Sequence, residues 1–217
     1  MEIFQDFVFV SVNYVLLQRL HSFRGQCMEK IYLIRHGRTE ANEKWLYCGS
    51  TDVGLSQSGA QDLRKIHYAM PENCKYITSG MKRTEETLNI LFGDVVHEID
   101  QRFREVNFGI FEMRSYEELK TEEEYQIWIS SDNEKNIPPK GESGEQMKER
   151  VIKAFEELKE QTQDIVLISH GGVIAAIMEH LFPEEGKNRY LWQPKPGHGY
   201  VIFEGGYREI ETNEDII

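Results

Sequence analysis

Positive charge is scarce in this chain of 217 residues: 25 lysines and arginines stand against 37 aspartates and glutamates, a formal net charge of −12. Such a surface repels nucleic acid and anionic lipid at long range, which argues against both as partners. It leaves room for a phosphate site, because a few arginines at contact range outweigh a screened surface field. Cysteine is also scarce, with only Cys27, Cys48 and Cys74. An odd, widely spaced set argues against a disulfide framework and against zinc-ligand spacing. The expectation is reduced thiols in a cytoplasmic protein with no metal. There are 6 prolines, with no low-complexity linker and no internal repeat. Long apolar runs are missing too. The longest, Phe7 to Leu17, is interrupted by Ser11 and Asn13 and is too short to span a bilayer. Acidic Glu2 and Asp6 precede it where a secretion signal would be basic, and no small-residue cleavage site follows.

What is present is a regular alternation that begins after Met28. Residues 1–27 read as an extension, and the domain spans 28–217; an added element packed on the domain is the competing reading of the extension. Ile31-Tyr32-Leu33-Ile34 and Ile165-Val166-Leu167-Ile168 are short continuous apolar runs, as expected of strands buried on both faces. Tyr76-Ile77-Thr78, Val95-Val96 and Tyr200 to Phe203 are read as further strands. Helices are expected over Ser58 to Met70, Met81 to Leu91 and Val173 to Leu181. Ser143 followed by Gln146 makes a capping box for another, whose apolar face is Met147, Val151, Ala154, Phe155 and Leu158. A helical insertion is expected around 112–140, centred on Tyr116 to Ile129. Strands alternating with helices imply an α/β layered domain with a mainly parallel sheet flanked by helices.

Both continuous strands run directly into histidine and glycine: Arg35-His36-Gly37 after the first, Ser169-His170-Gly171-Gly172 after the second. In open α/β sheets, ligands bind beyond the carboxyl ends of strands, where helix N-termini offer N–H groups to anions. If the two strands are neighbours, His36 and His170 share a pocket. Arg83, one turn into a helix that Ser79 is expected to cap, can reach back over the strand ends. Its planar fork suits phosphate.

These residues resemble the histidine phosphatase superfamily over about residues 28–217. Its motif Arg-His-Gly-x-Ser/Thr-x-x-Asn is matched by Arg35-His36-Gly37-Arg38-Thr39-Glu40-Ala41-Asn42. The loop Gly49 to Gly59 resembles its substrate-side loop. Ser79 to Thr87 resembles its second arginine motif, and Ser169 to Gly172 its second histidine motif. The resemblance implies the phosphoglycerate-mutase-like fold, a three-layer α/β sandwich, and chemistry without a cofactor. His36 would be the nucleophile, with its other ring nitrogen held by a backbone carbonyl. Arg35, Arg83 and His170 would stabilise phosphoryl charge, and Glu105, ahead of Asn107-Phe108-Gly109, would be the general acid. Glu112 is the competing acid and is read as structural support, and Glu142 as part of a helix start. Gly37, Thr39, Asn42, Gly49 and Gly171 complete the expected substrate contacts, with Asn42 donating a hydrogen bond.

The expected activity is hydrolysis of a small phosphate ester, with α-ribazole 5′-phosphate or a broad set of esters as the substrate. A phosphoglycerate-type mutase and a non-catalytic phospho-ligand or protein-binding module are the alternatives. Arg38 stands where many relatives carry an acidic residue or glutamine, and is read as a surface residue or an added anion contact. Cys48 is read as an inert thiol. Trp192 and His198 receive no role, and the chain is left as either a monomer or a homodimer.

Overall fold

The computed structural model describes residues 29–130 and 134–210; the expectations for residues 1–27 and for Cys27 lie outside them. Among the described residues, six strands form one sheet: β1 (Ile31–Arg35), β2 (Lys75–Thr78), β3 (His97–Ile99), β4 (Ile165–Ser169), β5 (Gly199–Phe203) and β6 (Gly206–Glu209), in the order β3-β2-β4-β1-β5-β6. The first four run parallel, while β5 and β6 form an antiparallel hairpin at one edge. The late strand β4 inserts between β1 and β2, with Arg35 opposite Ser169. That register puts His36 and His170 side by side just past the paired strand ends.

Pleating sorts each strand's side chains onto two faces. Ile31, Leu33, Ile77, Ile165, Leu167, Tyr200 and Ile202 share a core with two long helices, α6 (Gly144–Lys159) and α7 (Gly171–Leu181). Tyr32, Ile34, Val166, Ile168 and Val201 pack on the opposite face with Leu88, Leu91 and Phe92 of α3 (Lys82–Phe92). Two helical layers on one sheet make the three-layer sandwich. Helix α7 is buried along its first eight residues, which explains why its sequence is apolar all round. The capping box at Ser143 and Gln146 forms, and all five residues of the expected α6 face are buried.

Two boundaries differ from the sequence expectation. Helix α2 (Gln57–Leu63) stops well before Met70. The chain turns tightly at Arg64 to Ile66, and Tyr68 and Met70 go to the sheet. Met70 precedes Pro71, which disfavours helical backbone there. Strand β3 starts at His97 rather than Val95, because the backbone turns at Gly93 and Val95 and first pairs at His97 with Tyr76. Val96 is left 97% exposed.

The insertion holds two short helices, α4 (Tyr116–Leu119) and α5 (Glu123–Ile129). It has a small core of its own in Phe111, Leu119 and Tyr125. It is tied to the loop after helix α1 (Glu40–Glu43) by backbone bonds between Tyr47 and residues 113–114 and by a 2.6 Å bond between the Tyr47 and Tyr125 hydroxyls. The insertion thereby forms one wall over the strand ends.

Candidate active site

His36 lies immediately beyond β1, and its backbone N–H donates to Ser169 of the neighbouring strand. Its ring nitrogen Nδ1 is 2.7 Å from the Gly37 carbonyl. A carbonyl only accepts, so Nδ1 carries the proton and Nε2 keeps a bare lone pair. Burial, reinforced by the Arg83 charge, pushes this imidazole well below its usual range. At neutral pH His36 is therefore an uncharged ring with a free basic nitrogen.

His170 stands 5.2 Å away, ring centroid to centroid. Arg83 Nε donates to its Nδ1 at 3.2 Å, which leaves the proton on Nε2, 2.9 Å from the Ser79 hydroxyl. The chain continues from Ser79 through Thr84 to the Met81 carbonyl. Ser79 thus serves His170 and does not cap α3, whose N-cap is Met81. The backbone turns through Gly80 at positive φ, which moves the helix start past Ser79.

Arg83 is 1% exposed. Its two terminal nitrogens donate to the Thr51 and Gly49 carbonyls at 3.0 and 2.7 Å. Arg35 donates through Nη1 to Pro194, while its buried Nε has no hydrogen-bond partner among the described residues. Burial lowers the pKa of both guanidinium groups. Neither arginine forms an ion pair among the described residues. Two desolvated cations beside a neutral imidazole make a pocket suited to an anion.

Glu105 reaches this group from the loop after β3. Its carboxylate accepts from the Gly172 N–H at 2.9 Å, in the first turn of α7, and from its own neighbour Val106 at 3.0 Å. Glycine at 172 leaves room for this arrangement: a Cβ there would come within 2.4 Å of the carboxylate, and the Glu105 side chain would have to shift. A Cβ at Gly171 would meet Gln193 Oε1 at 2.9 Å and the Arg35 guanidinium carbon at 3.1 Å.

The other expected contacts serve the scaffold. Thr39 caps α1 through a reciprocal box with Asn42, so its hydroxyl is engaged and 1% exposed. Asn42 uses its side-chain oxygen there, which leaves its NH₂ as the group available to donate. Gly37 donates to the Thr87 hydroxyl. Glu112 ties down the loop opposite, accepting from Gly49, Ser50, Thr51 and Phe108. Burial alone would raise its pKa, but these hydrogen bonds outweigh burial and hold the carboxyl below its usual range. Arg38 pairs on the surface with Asp62 and Glu43. Glu142 pairs with Arg150 rather than acting only at the helix start.

Gly49 lies against the segment that carries Glu105, and a Cβ there would sit 1.6 Å from the Val106 carbonyl. Gly49→Ala must push the loop away, at a cost of about 3 kcal/mol. Urea denaturation should show that loss; a wild-type midpoint would mean the loop reseats freely.

A cavity of about 310 Å³ opens beside Arg35 and Glu105, walled by Tyr47, Phe108, Trp128 and Tyr190. Burial raises the Cys48 thiol on its edge, which leaves that thiol protonated and inert. Sequence reading missed the far wall, Arg189, Tyr190 and Gln193. Its signal was weak, because the segment is an irregular loop whose place comes from Trp192 buried in the core behind it. Among the described residues, no group of three or more His, Cys, Asp or Glu side chains is arranged to hold a metal ion. No helix there is long and apolar enough to cross a membrane.

Known proteins share this layout. The chain is 29% identical over 200 residues to the adenosylcobalamin/alpha-ribazole phosphatase of Escherichia coli K12, covering 85% of this chain and 91% of that one. A candidate alpha-ribazole-5′-P phosphatase structure from Escherichia coli K-12 matches with a TM-score of 0.73 at 26% identity, over 83% of this chain and 94% of that one. Phosphoglycerate mutase from Thermus thermophilus matches at 0.63 and 25% identity, over 84% and 97%. The sequence model of one family fits residues 31–210, from the first residue of β1 to just past β6. With both strand-end histidines inside that span, the chain belongs to the histidine phosphatase superfamily, branch 1.

Proposed function

We propose that this protein hydrolyses phosphate monoesters through a phosphohistidine on His36. One observation carries the reading: a neutral imidazole with a free Nε2 lone pair sits among buried arginines that form no ion pair among the described residues. Phosphate would supply the missing charge. Nε2 attacks phosphorus, the N–P bond forms and the ester P–O bond breaks. Glu105 gives its proton to the departing alkoxide, then takes one from the water that cleaves the N–P bond. Free phosphate leaves, and His36 and Glu105 return to their starting states. Splitting the displacement in two and protonating the leaving group each lower the barrier, the second by about 10²–10⁴ in rate. Arg35 and Arg83 would hold the equatorial oxygens, and His170 would join them once its Nδ1, released by Arg83, takes up a proton.

The aromatic cavity beside Glu105 is where the alcohol would lie, and its walls favour a flat, weakly charged group. A phosphoglycerate brings a carboxylate instead. Beyond Arg35, the cavity offers it one arginine, Arg189, which is already paired with Glu134. Hydrolysis of a ring-bearing ester is therefore preferred over mutase action, with α-ribazole 5′-phosphate the first substrate to try. The test is a panel of α-ribazole 5′-phosphate, nucleotides, sugar phosphates and phosphoglycerates, scored for free phosphate. Interconversion of phosphoglycerates without phosphate release would overturn the reading.

Trp128→Ala should lower kcat/KM about fivefold for ring-bearing esters and much less for glycerol phosphate, since lost aromatic contact is worth about 1 kcal/mol. Tyr190→Ala, at a 70% exposed position, gives the same comparison with little risk to folding. Equal losses on both ester types would remove the cavity from substrate choice.

A further inference from the structure

We infer that Arg150 is a positioning residue that sets the Glu105 carboxyl against the leaving group; this rests on the hydrolase reading above. Arg150 lies on α6, and three of the five N–H bonds of its guanidinium group go to backbone carbonyls of the segment bearing Glu105. Nη1 donates to the Arg102 and Arg104 carbonyls at 2.7 and 2.8 Å. Nη2 donates to the Glu105 carbonyl at 3.2 Å and to Glu142 Oε1 at 2.5 Å. Nε donates to Glu142 Oε2 at 3.1 Å. All five N–H bonds of the side chain are thereby accounted for.

Glu142 closes the other end of the same segment, accepting from the Asn107 N–H at 3.1 Å. The Arg150–Glu142 pair thus grips residues 102–107 from both sides of Glu105. This segment has little regular structure to hold it: a single 3₁₀ turn at Gln101–Phe103, then chain outside any helix or strand. Among the described residues, the Glu105 side chain itself is hydrogen-bonded by two backbone amides, those of Gly172 and Val106. Its placement at the α7 N-terminus therefore depends on the backbone that Arg150 holds. Lysine keeps the charge but cannot reproduce a planar fork reaching three carbonyls and a carboxylate at once.

A misplaced acid has a kinetic signature that general damage lacks. An alkyl alkoxide needs a proton to depart, whereas p-nitrophenolate leaves without one. kcat/KM reports the phosphorylation step in which the leaving group departs. Arg150→Lys should lower kcat/KM for β-glycerophosphate by about tenfold or more, and for p-nitrophenyl phosphate by no more than about threefold. Inhibition by orthovanadate, which probes the phosphate pocket, should stay near wild type. Glu142→Gln, which retains an acceptor for Asn107, should show the same split in weaker form. The Gly172 amide proton should move upfield in the NMR spectrum as its bond to the carboxylate loosens. Equal losses on both esters, or no loss on either, would overturn the inference while leaving the hydrolase reading intact. A wild-type protein that releases phosphate from neither ester would overturn both.

Discussion

His36→Ala is expected to lower turnover by at least about 10⁴-fold while the protein stays folded, since removal of a covalent nucleophile leaves only binding and electrostatics behind. The wild type, quenched during turnover, should carry phosphate in an acid-labile, base-stable linkage, and the variant none. Retained activity would refute the mechanism outright. The same variant has a second readout in stability. Burial holds both His36 and His170 below the usual histidine range in the folded protein. Above pH ~6.5 both rings are neutral whether the chain is folded or unfolded, and they add no pH dependence. Below it the unfolded chain takes up protons that the folded chain refuses, so stability falls with falling pH. The slope approaches about 1.4 kcal/mol per pH unit for each histidine. Replacing His36 should remove one such contribution between pH ~6.5 and the lowered folded value. Denaturation series at several pH values would show the shallower slope, and an unchanged slope would mean that His36 is not buried neutral.

The parts of this molecule that could be read from the sequence are those with a one-dimensional signature. β1 and β4 are buried on both faces, so they appear as unbroken apolar runs, and each leads into its histidine. Their adjacency was a condition in the sequence and is a fact in the fold, where Arg35 pairs with Ser169. The α6 helix was legible because its cap and its apolar face repeat at helical spacing. Glu105 is different. The motif around it names the residue, but its carboxylate is held by Gly172, 67 positions later in the chain, and no local pattern encodes that distance. Ser79 shows how a plausible local rule fails: a serine before a helix is a natural cap, yet tertiary contact with His170 claims its hydroxyl. The Met70 boundary failed for a similar reason, since Leu63, Ile66 and Met70 are spaced like one helical face but pack in different places. Arg150 gave no signal at all, because an arginine on an amphipathic helix looks like any solvated charge until its five donors are traced.

Arg83→Ala is expected to produce the second large effect, about 10³-fold in kcat/KM, because it removes both a transition-state charge and two of the hydrogen bonds that hold the Gly49–Thr51 loop. Arg83→Lys should recover only part of the loss. A lysine restores a point charge, but not the fork that reaches His170 and two carbonyls together. The ligand-free protein holds this cation at a cost, since burial depresses its pKa and, among the described residues, it forms no ion pair. An anion entering the pocket offsets that cost, so phosphate binding and thermal stability should be coupled through Arg83. At about 100 times its Kd, orthovanadate would stabilise the wild type by about 2.7 kcal/mol. For a chain of this size that corresponds to a rise in melting temperature of about 5–10 °C. Sodium chloride at matched ionic strength controls for screening of the acidic surface, which stabilises without entering the pocket. The Arg83→Ala protein should show the chloride effect and little of the vanadate effect. Equal vanadate shifts in both proteins would place the anion elsewhere, and would remove Arg83 from the phosphate site whatever its effect on turnover.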